Sequence, residues 1–130
     1  MAEAARKRLA LALLIVAVIP VGLITRFHGG PAWLRNGAGA VLYEVVWIAG
    51  AQIVWIAART HRLALAVFAA TCGIELLQLS QAPWLWAARS TTPGRLLLGA
   101  NGGFDPGDFA LYGLGCVLGY GLCRPFRASA

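Results

Sequence analysis

The sequence has 130 residues, of which 59% are hydrophobic and only 12% are charged. A soluble domain has about 25% charged residues, so this chain has too few to cover a globule in water. The composition therefore predicts an integral membrane protein. A net charge of +6 is also found in nucleic-acid-binding proteins. Here the basic residues form short clusters between apolar runs, without a basic stripe carrying aromatic residues, and we expect no nucleic-acid partner.

Four apolar runs predict transmembrane helices within a single all-α membrane domain of residues 1–130. Each run is close to the length of about 20 residues that a helix needs to cross a bilayer, and lipid leaves backbone groups without partners outside a helix. The basic start resembles a signal peptide, but no small-x-small cleavage site follows before Arg26, so we expect the first helix to be retained. We predict a four-helix bundle with spans at about 7–25, 37–57, 63–81 and 105–123.

The arginines and lysines predict the orientation of these spans. If the N-terminus is cytoplasmic, the inner segments hold seven of the basic residues and the outer segments hold four. Basic residues are enriched in cytoplasmic segments. We therefore predict a multi-pass protein of the bacterial plasma membrane with both termini inside, and with four arginines outside: Arg26, Arg35, Arg89 and Arg95.

The segment 82–104 is too polar to span the membrane and too apolar for a free linker. Its tryptophans, Trp84 and Trp86, fit the aromatic belt at a membrane surface. Long loops of compact domains often carry function. We predict a structured loop at the outer interface, and the sequence leaves open whether it lies flat or re-enters the membrane.

Two carboxyl groups lie inside apolar spans. By helical rise, Glu44 and Glu75 are both about 10 Å below the outer surface, and Tyr112 lies at a similar depth. A charged group at the centre of a membrane helix costs about 2.5–3.5 kcal/mol or more, so such residues normally face the bundle interior. Two interpretations remain: protonated carboxyls that hold helices together, or a site that binds a ligand or handles protons.

Helical spacing places the polar residues of spans three and four on one stripe each. Facing stripes would form a cluster of Glu75, Gln78, Asp108 and Tyr112. Two glycines four residues apart allow close approach of another helix, and we interpret them as packing residues. The stripes are Thr71, Glu75 and Gln78 on span three, and Asp108, Tyr112, Gly115 and Gly119 on span four.

Charged residues flanking the cluster have competing interpretations. Asp105 is suited to cap the last helix, and Asp108 in the first turn favours the helix dipole; Asp108 also fits a functional role. Arg89 and Arg95 either pair with the acidic cluster, reach to the membrane surface, or bind a phosphate or carboxylate of a ligand, which suits the guanidinium group.

No residue pattern in the sequence indicates a metal or cofactor site. The three cysteines lie in apolar runs without a CxxC pattern, and the two histidines, His28 and His61, are expected in loops and form no ligand pair. We interpret the cysteines as small core residues and expect no metal or cofactor.

The same residues resemble a known family. The order Glu75-x-x-Gln78, Ala82-Pro83-Trp84-Leu85, Arg89, Leu98-Gly99 and Asp108-x-x-x-Tyr112-x-x-Gly115 resembles the DUF2809 family of small bacterial membrane proteins. More loosely it is similar to the VanZ-like family, which is associated with tolerance to glycopeptide antibiotics. The resemblance implies a bundle of four or five helices with Glu75, Gln78, Arg89 and Asp108 as its signature, and implies no known activity. The family pattern has an aspartate where this chain has Ala40, and Glu44, one turn on, is its expected substitute.

Three hypotheses for the function follow. The first is binding or processing of an anionic cell-envelope lipid or lipid-linked precursor: Arg89 and Arg95 hold the headgroup, Glu75 and Asp108 act as acid/base groups, and the other polar residues orient the ligand. The second is a non-catalytic helical partner of a larger envelope complex or a homo-oligomer. The third is a small proton-coupled carrier. The sequence leaves open whether the protein is an enzyme. The binding residues in the first hypothesis are Glu44, Gln78, Arg89, Arg95, Asp105 and Tyr112.

Overall fold

The computed structural model describes residues 2–28, 30–77, 83–93 and 107–129, without the side chains of positions 26, 32, 33, 35, 36 and 89. Every regular element in these ranges is helical, which confirms the all-α prediction for the described part of the chain. The elements are α1 (Ala2–His28), α2 (Ala32–Val54), α3 (Thr60–Leu77), α4 (Pro83–Ser90) and α5 (Gly107–Cys123), followed by a 3₁₀ turn at Arg124–Phe126.

Within the described ranges, three helices are long and apolar enough to cross a membrane, which indicates a membrane protein. These spans are Ala2–Thr25, Gly37–Val54 and Thr60–Leu77. Only 6% of the first span is buried inside the protein, so lipid is the natural environment for the apolar side chains that α1 leaves exposed. The described part of the last helix, Gly107–Cys123, has 17 residues, and its role as a fourth span stays a prediction.

The first two helices are joined by a short connection built on Gly30 and Pro31. Gly30 has a φ of +79°, a conformation that favours glycine because other residues have a Cβ. Pro31 has the extended conformation of a residue that precedes a helix, with φ −65° and ψ 152°. Because proline fixes its φ and suits a helix start, α2 begins at Ala32, five residues before the predicted position 37.

A buried glutamine closes the turn between α2 and α3. The two hydrogens of Gln52 Nε2 are shared among the carbonyl oxygens of Trp55, Ile56 and Ala58, which lie at 3.1, 3.2 and 3.2 Å. Its Oε1 accepts a hydrogen bond of 2.8 Å from the Thr60 hydroxyl. These bonds hold the carbonyl groups of the α2–α3 turn against the last turn of α2. They account for the end of α2 at Val54 and the start of α3 at Thr60, each three residues before the predicted position.

The two histidines lie on helices, and the expectation that both are in loops was wrong. His28 is the last residue of α1, and His61 is in the first turn of α3. In both places the helix extends beyond the apolar run from which its length was predicted. Hydropathy marks the part of a helix that fits the membrane, and the hydrogen-bonded helix continues past it.

Helix α2 is central, and it packs against α1, α3 and α5. The contact with α5 is very close. A Cβ atom on Gly115 would lie 2.6 Å from Glu44 Cβ and 2.7 Å from the Val41 carbonyl oxygen. A Cβ on Gly119 would lie 2.7 Å from Ile48 Cδ1. The predicted packing role of the glycine pair is thus confirmed, with α2 as the partner.

The start of α1, the α2–α3 turn and residues 124–129 meet at one end of the bundle, here called the terminal end. Lys7 Nζ donates to the Arg127 carbonyl at 2.7 Å, and the Ala128 amide donates to the Ile56 carbonyl at 2.9 Å. All three cysteines are free thiols, as expected of core residues. The apolar core here consists of Leu11, Ile48, Ala49, Ile56, Ala64, Cys123 and Ala128.

The opposite end, called the loop end, includes the end of α3 and the start of α5. The predicted loop 82–104 contains the short helix α4 at Pro83–Ser90. Leu85 is fully buried, whereas Trp84 and Trp86 are exposed. A short helix with one buried and one exposed face agrees with the prediction that this segment is structured. Its depth relative to a membrane stays a prediction, and residues 94–104 lie outside the described ranges.

Candidate functional site

Glu44 is enclosed between three helices. It lies on α2, has no exposed surface, and is covered by α5 at Gly115, where no side chain larger than hydrogen fits. On its other flank, the Thr71 hydroxyl of α3 lies 3.1 Å from Glu44 Oε1. The glycine and the threonine together place the carboxyl group in the interior, as the cost of exposing it to lipid demands.

Thr71 connects this carboxyl group to the backbone of α3. Its Oγ1 is 3.0 Å from both the Val67 and the Phe68 carbonyl oxygens, in addition to its contact with Glu44. A hydroxyl has a single proton, so it donates to one of these acceptors at a time. When Glu44 is protonated, its own O–H can donate to Thr71 while Thr71 donates to the backbone. Both arrangements keep Oε1 paired.

Glu75 lies one turn after Thr71 on the same face of α3, as the predicted stripe requires. It is 1% exposed. The Tyr112 hydroxyl of α5 donates to Glu75 Oε2 at 3.3 Å, a long hydrogen bond. The predicted meeting of Glu75 and Tyr112 is therefore found, and Glu75 points into the bundle. Through Thr71 and Glu75, α3 contributes polar groups to both neighbouring helices.

Asp108 is in the first turn of α5, where its charge favours the helix dipole. It precedes Tyr112 by one turn and is partly buried. Asp108 and Glu75 are both near enough for their charges to act on the Tyr112 hydroxyl. The hydrogen bond between Tyr112 and Glu75 is the direct contact within this group, and a contact of Asp108 with either residue stays a prediction.

The second carboxyl oxygen of Glu44 differs from the first in its hydrogen bonding. Glu44 Oε2 is buried and makes no hydrogen bond to any residue that the structure describes. A buried acceptor without a partner costs about 1–3 kcal/mol, and nearly all such groups in proteins are satisfied. We name Glu44, Thr71, Glu75 and Tyr112 the carboxyl cluster. Within this cluster, Oε2 of Glu44 is the atom that is able to accept a hydrogen bond from a further group.

Several predicted site residues fall outside what the structure describes. Gln78, Arg95 and Asp105 lie outside the described ranges. Arg89 is on α4, but its side chain is not described. The predicted approach of the guanidinium groups to the carboxyl cluster therefore stays a prediction.

Two polar residues with clear roles were missed as site residues. Thr71 was recognised only as part of a stripe, although it is the contact between Glu44 and α3. Gln52, fully buried at the terminal end, was not singled out at all. A polar side chain within an apolar span is the signal that would have found it, because such a group needs several partners when buried.

Comparison with known proteins gives one finding. A family model described as "Protein of unknown function (DUF2809)" matches residues 29–116, about two thirds of the chain. The match includes the whole carboxyl cluster and Gly115, and it leaves out α1 and residues 117–130. No curated protein and no solved structure matches the chain.

Proposed function

This chain belongs to the DUF2809 family of proteins of unknown function, and we propose that it is a membrane-embedded binding protein for an anionic cell-envelope lipid or lipid-linked precursor. In this proposal the carboxyl cluster binds a hydrogen-bond donor of the ligand, such as a hydroxyl group. Arg89 and Arg95 bind the phosphate of its headgroup. The observation that carries the proposal is the buried oxygen of Glu44 that makes no hydrogen bond to the described residues.

The free energy of an unfilled acceptor supports a ligand at this position. The cost of about 1–3 kcal/mol for such an atom would disappear if a ligand hydroxyl donated to it. Thr71 holds the other oxygen of the same carboxyl group, so the orientation of Oε2 is fixed before a ligand arrives. Preorganisation of this kind lowers the entropic cost of binding.

The surroundings of the cluster favour a lipid over a water-soluble ligand. Three spans carry exposed apolar side chains, which the acyl chain of a lipid can contact. Helix α4 exposes Trp84 and Trp86, a pattern typical of a membrane interface. Arg89 is on this helix, and guanidinium groups suit bidentate binding of phosphate. A ligand with an acyl chain and a phosphate headgroup fits this combination.

We further propose that the protein processes this ligand by acid–base chemistry. Glu75 and Asp108 are the acid/base groups in it, because they come from two helices and both lie near Tyr112. Tyr112, Gln78 and Asp105 would orient the reacting group. A pair of carboxyls in unequal surroundings is a common arrangement for general acid–base chemistry.

A second candidate function is a non-catalytic helical partner in a larger envelope complex. It is favoured by the nearly complete enclosure of Glu44 and Glu75 and by hydrogen bonds that run from one helix to another. In this case the cluster only holds the bundle together. A proton-coupled carrier ranks third, because it needs polar groups through the full thickness of the membrane, whereas the acidic residues within the spans are predicted at one depth.

Lipid extraction separates the first two candidates. The full-length protein is purified from bacterial membranes in mild detergent, and the lipid that remains bound is identified by mass spectrometry. We expect one anionic lipid to be retained by the wild type and lost from Glu44→Gln and from Arg89→Ala. Glu3→Gln, which changes an exposed carboxyl at the terminal end, is the matched control and should retain it.

Two results would contradict the lipid-binding proposal. One is the absence of any retained anionic lipid from the wild type. The other is identical lipid content in the wild type, Glu44→Gln and Arg89→Ala, since a bound lipid would then not depend on the cluster. Unchanged lipid content together with an intact fold in Glu75→Gln would favour the partner function, because the amide can replace the carboxyl in a structural hydrogen bond.

A further inference from the structure

A basic cavity at the terminal end is separate from the carboxyl cluster. It is open to the outside and has a volume of about 370 Å³, within the range of about 300–1,000 Å³ that is usual for small-molecule sites. None of its described lining residues is acidic, and four are arginine or histidine. The lining residues are Arg59, Thr60, His61, Tyr120, Arg124 and Arg127.

The walls of this cavity hold its arginines in defined positions. Arg124 lies over the ring of Tyr120, with 5.8 Å between the guanidinium carbon and the ring centre. Arg127 donates from Nε to the Ala57 carbonyl at 3.2 Å. A guanidinium group has four further N–H donors on its two Nη atoms, so this bond orients Arg127 without using its whole binding capacity.

The N-terminus of α3 also lines the cavity. Thr60 and His61 form the first turn of α3, and a helix N-terminus carries partial positive charge. The Thr60 hydroxyl is directed to Gln52 at 2.8 Å, which fixes the start of α3 beside the arginines. Three guanidinium groups and a helix start thus converge from different parts of the chain.

We propose that this cavity binds a phosphate group, with a phospholipid headgroup or a soluble phosphate as its source. Guanidinium groups match the geometry of phosphate oxygens, and a helix start also favours such an anion. In the predicted orientation the cavity is in the cytoplasmic leaflet, where anionic lipids attract basic segments. The site is distinct from the proposed site at the loop end, because it shares no residue with the carboxyl cluster.

Charge alone is a weaker explanation of this arrangement. Basic residues near a membrane surface are common. Arg62 in the first turn of α3 is exposed, as Arg59 and Arg124 are, but it does not line the cavity. The cavity residues differ from it because they come from the α2–α3 turn, α5 and the segment after it, and they surround one space. A test must therefore compare arginines inside the cavity with Arg62.

The experiment measures binding to the full-length protein in neutral detergent, by the rise of its thermal unfolding midpoint. The probes are short-chain phosphatidylglycerol, short-chain phosphatidylcholine and inorganic phosphate. We expect phosphatidylglycerol to stabilise the wild type more than phosphatidylcholine does, because the choline cation beside the phosphate of phosphatidylcholine is repelled by the arginines. Arg59→Gln and Arg124→Gln should each raise the half-saturating concentration about fivefold, whereas Arg62→Gln should leave it unchanged. Far-UV circular dichroism without ligand checks that the variants are folded.

The two sources of phosphate are distinguished by the third probe. Saturation by inorganic phosphate, with the same dependence on Arg59 and Arg124, would support the site and identify a soluble phosphate as its ligand. An equal effect of phosphatidylglycerol and phosphatidylcholine would overturn the proposal. So would an Arg62→Gln variant that is weakened as much as Arg124→Gln, since the binding would then follow surface charge and not the cavity.

Discussion

Both ends of the bundle bury polar groups, but they satisfy them to different degrees. At the terminal end, Gln52 uses its Oε1 for Thr60 and its Nε2 for three carbonyl groups. At the loop end, Glu44 has one paired oxygen and one that makes no hydrogen bond to the described residues. A saturated polar network stabilises a structure, and an incomplete one costs free energy. The difference identifies Gln52 as a structural residue and Glu44 as the better candidate for function.

The largest expected effect is on the packing that both ends share. In Gly115→Ala the new Cβ would lie 2.7 Å from the Val41 carbonyl oxygen, and this backbone atom cannot rotate away. We expect a loss of about 3 kcal/mol in the free energy of unfolding, measured by denaturation in detergent. Gly121→Ala is the control, because nothing lies within 4 Å of its Cβ. Equal stability of the two variants would mean that α2 and α5 are not in close contact.

The second expected effect is at the terminal end. Gln52→Leu keeps the volume but removes all the hydrogen bonds that this side chain makes in the α2–α3 turn, and Thr60 loses its acceptor. We expect a loss of about 2 kcal/mol from the unpaired groups, seen as a lower thermal unfolding midpoint. Thr60→Val removes only one of these bonds and should cost less. If Gln52→Leu were as stable as the wild type, the saturated network would have no structural role.

A smaller effect is expected from the link between α3 and α5. Tyr112→Phe removes one long hydrogen bond to Glu75 and leaves the ring in place. We expect a loss of about 1 kcal/mol, from the same unfolding measurement. Tyr120→Phe is a matched tyrosine change on the same helix at the terminal end. A cost above that of Gln52→Leu would contradict the view that the loop end contributes less to stability than the terminal end.

The smallest effect on stability is expected at Glu44, the residue for which we propose the most direct role in binding. Glu44→Gln keeps the contact with Thr71, because the amide also has an oxygen acceptor. We expect the free energy of unfolding to change by about 0.5 kcal/mol or less, while the retained lipid is lost. Destabilisation comparable to that of Gly115→Ala would instead assign Glu44 a structural role and remove the contrast between the two ends.

Residue spacing predicted much of this arrangement. The intervals between Thr71 and Glu75, and between Tyr112 and Gly115, follow from helical geometry alone, so the stripes and the close approach of α5 were available from the sequence. Burial of Glu44 and Glu75 followed from the cost of exposing a carboxyl to lipid. These constraints come from helical geometry and from the lipid environment, so they can be predicted from a single sequence.

Other features depend on contacts between distant residues. The end of α2 is set by Gln52 binding carbonyl groups further along the chain, whereas hydropathy continues past Val54. The basic cavity joins Arg59 to Arg124 and Arg127, and α3, α4 and α5 lie between them in the sequence. The helix within the predicted loop, Pro83–Ser90, is too short for a periodic pattern to identify.

The bonds at the terminal end also fix an order of assembly. Residues 127 and 128 bind the turn that follows α2, and the Arg127 carbonyl accepts from Lys7 near the start of α1. During synthesis these earlier helices enter the membrane before α5 has been made. This end of the bundle can therefore close only after residue 128 has been made, and until then α1 lies in the bilayer without its bond to the Arg127 carbonyl.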